Sequence, residues 1–174
     1  MSTVSPKDIA KALARQQALV GQAWIDRCDD LAVQQRVMFL ELVTFARDGV
    51  AGEQFQALIN FLSVLQFLAK DHSEAAAAPV AMPEFRESVE RAVLFFKTME
   101  TDDTHDQTRM AAAWYAGIDR QGEPVIWAVC IQTLQSHGIL VAPLAVDMGI
   151  TLYAVADVFS RRLADVKRAR RPNG

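Results

Sequence analysis

From Phe55 to Lys70 the only polar residues are Gln56, Asn60, Ser63, Gln66 and Lys70, spaced by three or four positions, and every other position is apolar. In a helix of 3.6 residues per turn this spacing gathers them into one narrow stripe. A helix over 53–70 that is apolar on most of its circumference must be covered by neighbours on most sides, which makes it a central element. Leu62 and Leu65 then belong to the core. The polar stripe is expected to be an exposed seam, with a groove for a small molecule or partner as the alternative.

The remaining organisation follows the same periodicity. Ser5-Pro6-Lys7-Asp8 reads as a helix start, with Ser5 as N-cap, Pro6 at the first helical position and an acid in the first turn. Apolar residues at helical spacing predict helices over 9–27, 30–48 (capped by Asp29 or Asp30 and closed by Gly49 to Gly52) and 84–100, the last with Val93 and Phe96 in the core. Asp71 to Pro83, with four alanines and two prolines, reads as a linker or loop. Residues 114–131 fit a β-hairpin turning at Asp119-Arg120-Gln121-Gly122, and two helices joined by a tight turn fit them as well. The fold class is therefore mainly α: a single-domain bundle of about six or seven helices, with room for one hairpin. Its parts are an N-terminal body (1–70), the linker (71–83), a second helical part (84–169) and a loose tail (170–174), together expected to form one compact domain.

Half of the 174 residues (51%) are hydrophobic, enough for a real core and against disorder as the main state. No apolar run reaches the ~18 residues a membrane helix needs. Cys28 and Cys130 stand far apart in apolar surroundings and read as buried thiols. With no signal peptide in view, the chain is expected in the cytoplasm and away from membranes. Charge is uneven: residues 1–149 carry 12 Lys/Arg against 19 Asp/Glu, net −7, whereas 150–174 carry six basic residues against Asp157 and Asp165, net +4. A basic end on an acidic body suits contact with an anionic partner such as nucleic acid; it equally suits the negative end of a helix dipole.

Catalytic constellations are weak. His72, His105 and His137 accompany no nucleophile signature, and the eight glycines form neither a dinucleotide nor a P-loop pattern. Glu100, Asp102, Asp103, His105 and Asp106 could in principle ligate a metal, but a solvated acidic loop is the simpler reading. Neither catalytic residues, metal nor cofactor are expected.

Val141 to Leu163 carries the one remaining pattern. Ala145 is a small residue, Gly149 follows four positions later, and Leu144, Met148, Ile150, Val155 and Val158 are apolar at the required spacing, with Thr151 able to cap a second helix. This segment resembles the helix-turn-helix of many bacterial DNA-binding proteins, over 23 of 174 residues. The resemblance implies a turn at Gly149 with positive φ and a recognition helix over 151–163 that enters the major groove. Thr151, Tyr153 and Asp157 would face DNA, and Arg161, Arg162, Lys167 and Arg168 would bind phosphates.

The sequence thus supports a small DNA-binding regulator, with the N-terminal helices as a body for homodimerisation or partner binding. Its rival is a non-enzymatic helical adaptor that binds a protein partner or itself, with the Gly149 corner purely structural. A metal-dependent enzyme is a distant third.

Overall fold

The computed structural model describes residues 4–100, 124–137 and 145–169, and among these every regular element is a helix, with no strand. Eight helices follow in order: α1 (Pro6–Gln17), α2 (Gln22–Gln34), α3 (Arg36–Arg47), α4 (Gly52–His72), α5 (Glu74–Ala77), α6 (Met82–Glu100), α7 (Pro124–Ser136) and α8 (Ala145–Ala169). The expected mainly α class is correct. The hairpin is not: its second strand, 124–131, lies within α7, and its remainder, 114–123, falls outside the described residues. Ile126, Trp127, Val129, Cys130 and Ile131 are all buried, so this face packs on neighbouring helices, which β-branched and aromatic content alone does not reveal.

Helix α1 begins as its sequence dictates. The Ser5 hydroxyl accepts from the Asp8 backbone N–H and the Asp8 carboxylate accepts from the Ser5 N–H at 2.8 Å, a reciprocal capping box with Pro6 behind it. The helix expected over 9–27 is broken in two, because Gly21 takes φ +56°, a conformation that interrupts a right-handed helix. Likewise Asp29 and Asp30 do not cap a helix but lie within α2; the break comes at Gln35, with φ −130°. Gly49, at φ +92°, closes α3 as its sequence suggests.

Two helices form the centre. Helix α4 is buried along most of its length and packs against α1, α2, α3, α5, α7 and α8; Leu58, Leu62, Leu65 and Leu68 are fully buried. The 25-residue α8 is its counterpart, with Leu152 to Ser160 buried without interruption, and it packs most extensively on α6. Helix α6 turns Phe85, Ser88 and Ala92 inward, so Val93 is only half-buried, while Phe96 packs partly buried against the core.

The polar stripe of α4 is not an exposed seam. Ser63 and Gln66 are buried, and with Asn60 they receive the surrounding elements one after another. Asn60 Oδ1 accepts from Gln16 Nε2 of α1 (2.8 Å) and Trp24 Nε1 of α2 (3.0 Å); Ser63 Oγ accepts from Arg27 Nε of α2 (2.8 Å); Gln66 Oε1 accepts from Gln35 Nε2 (2.8 Å). Only the ends of the stripe, Gln56 and Lys70, face solvent. Buried polar groups demand partners, so this ladder fixes the register in which α1 and α2 dock on α4.

Residues 71–83 do not act as a free linker. Ala76, Ala77 and Val80 are buried in the same core that unites both halves of the chain. Gln35 holds this segment from one side, donating to the carbonyls of Ala77 and Ala78 (3.1 Å each) and accepting from the Val80 N–H (3.1 Å).

Candidate functional site

The residues expected to read DNA lie on α8. A helix-turn-helix corner does not form at Gly149, because one uninterrupted helix runs from Ala145 to Ala169 through that residue. Among the described residues only Gly21 and Gly49 have positive φ. Gly149 is small for another reason: a Cβ there would come within 2.9 Å of the Phe96 ring of α6. Residues 141–144, the start of the expected first helix, lie outside the described residues.

Without the turn, the expected recognition face points into the molecule. Thr151 is half-buried and Tyr153 is only 7% exposed. The Tyr153 ring stacks on Phe95 (centroids 5.0 Å apart) and meets Trp127 at 4.5 Å. Burial, reinforced by the nearby Asp157 carboxylate, pushes its phenol up to about 12, so it keeps its proton and cannot serve as a base at neutral pH.

Asp157 is 1% exposed, a buried charge that requires compensation. Arg91 of α6 supplies it from Nε (3.0 Å) and Nη2 (2.9 Å), both to Oδ2, and Arg161 Nε lies 3.1 Å from the same oxygen. Ser88 Oγ ties the two guanidinium groups together, accepting from Arg161 Nη2 (2.7 Å) and Arg91 Nη2 (3.2 Å). At the solvent edge Glu87 accepts from Arg91 Nη1 at 2.6 Å. This network joins α6 to α8.

Arg162 is committed in the same way. Its Nε and Nη2 make a bidentate pair with Glu84 (2.7 and 2.6 Å), and its remaining donors reach the carbonyls of Ala76, Ala78 and Pro79. It clasps the 74–80 segment to α8. Of the expected phosphate ligands only Arg168 is well exposed, and it pairs with Asp165 at 3.3 Å; the Lys167 side chain lies outside the described residues.

The partners Glu84, Ser88 and Arg91 escaped the sequence reading. Their only sequence signal is the spacing of Ser88 and Arg91 on α6 and of Asp157 and Arg161 on α8, which suits salt bridging within a helix as well as between helices.

Other chemistry is sparse. Cys28 and Cys130 are free thiols, and burial raises both above the ordinary thiol range, which keeps them protonated and poor nucleophiles. No group of three or more His, Cys, Asp or Glu among the described residues could hold a metal; the run 101–106 lies outside them. No described helix is long and apolar enough to cross a membrane.

Large apolar residues are left in solvent at several places: Ile25 (49% exposed), Val33 (79%) and Leu40 (52%) on α2 and α3, and Val20, Met82, Leu94 and Val146 elsewhere. At 100° per residue, Ile25, Asp29 and Val33 share one face of α2, with Asp29 between the other two. Asp26, Asp29 and Asp30 are all exposed, whereas the one basic residue of α2, Arg27, is buried. Comparison with protein-family models, curated proteins and solved structures found no match to this chain.

Proposed function

We propose that this protein is a non-enzymatic helical adaptor that binds a protein partner through the outward face of α2 and α3. The observation that carries this reading is the exposure of Ile25, Val33 and Leu40 on consecutive helices while the polar face of α8 is spent inside the fold. Exposed aliphatic groups gain by being covered, and the carboxylates around them would orient a basic partner and repel phosphate. The DNA-binding reading keeps only the basic end of α8 in its support, and Tyr153 and Asp157 would have to leave the core to touch a base. The cytoplasm is the compartment that suits two free thiols.

A photo-crosslinking residue at position 33, compared with one at the exposed Glu53, tests this. The adaptor reading expects a discrete protein adduct, heterologous or with a second copy, from position 33 and none from position 53. A DNA titration at low salt whose slope falls when Arg168 is replaced by Ala, with no adduct at position 33, would return the case to DNA binding.

A further inference from the structure

Arg27 is a buried cation without an acidic partner. It is 7% exposed, yet no carboxylate among the described residues lies within ion-pair distance of it. Its Nε donates to Ser63 Oγ at 2.8 Å and its Nη2 to the Ser63 carbonyl at 3.3 Å, leaving Nη1 without a described hydrogen bond. Its guanidinium carbon lies 4.2 Å from the centroid of Phe67, and that of Arg15 in α1 lies 4.8 Å from the same centroid. Two guanidinium groups therefore lie over one ring, within cation–π range of it.

Asp71 serves Arg15 and Lys11, accepting from Arg15 Nη1 (2.9 Å) and Lys11 Nζ (2.8 Å), and does not pair with Arg27. Burial disfavours the charged form of Arg27 and the neighbouring Arg15 adds to this, while Asp30 opposes it from beyond contact. The Arg27 Nη1 is not sealed in the interior, and a largely buried guanidinium with a donor open to solvent is well suited to an oxyanion, which accepts charge-assisted hydrogen bonds in the plane of the fork.

We propose that Arg15 and Arg27, seated on Phe67 at the junction of α1, α2 and α4, form a binding site for a small oxyanion, a carboxylate or a phosphate. Ser63 holds the Arg27 fork in place from α4 and leaves Nη1 for the ligand. Arg15 closes the site from α1 with the donors that Asp71 does not use. The site is independent of the apolar face proposed for the partner.

Thermal melting and NMR of the arginine Nε–H resonances test the proposal, titrating inorganic phosphate, acetate, or sodium chloride at matched ionic strength. The expected result is a saturable rise in Tm and a shift of the Arg27 Nε–H resonance with phosphate, absent with chloride. A response to acetate as well assigns carboxylates to the site; a response to phosphate alone restricts it to phosphate. Arg15→Gln, at a residue 46% exposed along its side chain, should fold normally and weaken the anion response at least tenfold. Equal stabilisation by chloride, or an undiminished phosphate response in Arg15→Gln, would overturn the proposal and leave Arg27 a structural latch. If Arg27→Lys also folds, its loss of the fork should weaken phosphate binding despite the retained charge.

Discussion

Gly149 of α8 lies against the ring of Phe96 in α6, so close that a Cβ at position 149 would stand 2.9 Å from Cζ and 3.2 Å from Cε1. The glycine thus serves the approach of two helices, at the expense of about 1 kcal/mol of helix propensity relative to alanine. Gly149→Val should destabilise the protein by about 1–3 kcal/mol through overpacking. Because the strain is between side chains, Phe96→Leu in the same chain should recover part of the loss, giving a coupling of about 0.5 kcal/mol or more in a denaturation double-mutant cycle. A coupling of zero would point instead to backbone strain at position 149.

Arg162→Ala should cost about 1–3 kcal/mol, since Glu84 and the carbonyls of Ala76, Ala78 and Pro79 lose their common donor. The loss should be local. Amide hydrogen exchange should accelerate across residues 74–80 before it does in α4. An unchanged denaturation midpoint would mean that Arg162 is dispensable to the fold and free to act elsewhere.

Gln35→Leu should destabilise by roughly 1–3 kcal/mol, although it replaces a polar side chain in the core with an apolar one of similar size. It leaves the Val80 N–H and the Gln66 Oε1 without their described partner inside the protein. Urea denaturation of the variant reads this directly, and a gain in stability would show that water replaces the lost amide.

Asp71 gives a pH dependence with a definite sign. Hydrogen bonds from Lys11 first, and from Arg15, hold its carboxyl below the usual 3.8. A depressed native pKa stabilises the fold above the unfolded pKa, and the contribution is lost as pH falls through the native value. The stability difference between wild type and Asp71→Asn, measured by urea denaturation, should therefore be constant near neutrality and shrink below about pH 3.8. The partners are largely exposed, so added salt should shrink the difference as well.

Local chemistry determined much of this protein from the sequence alone. The Ser5 cap, the central position of α4 and the burial of Leu62 and Leu65 follow from hydrogen-bonding and hydrophobic periodicity within single segments. The sequence could not determine which partners those segments meet. The stripe of Asn60, Ser63 and Gln66 has the same spacing whether it faces water or Gln16, Arg27 and Gln35. Gly149 has the same identity whether it turns a chain or admits Phe96, and periodicity cannot tell a helix that reads a groove from one that fills a core. Only the tertiary structure decided these points, because the cost of burying Gln66 and Asp157 is met by groups 31 and 66 positions away in the chain.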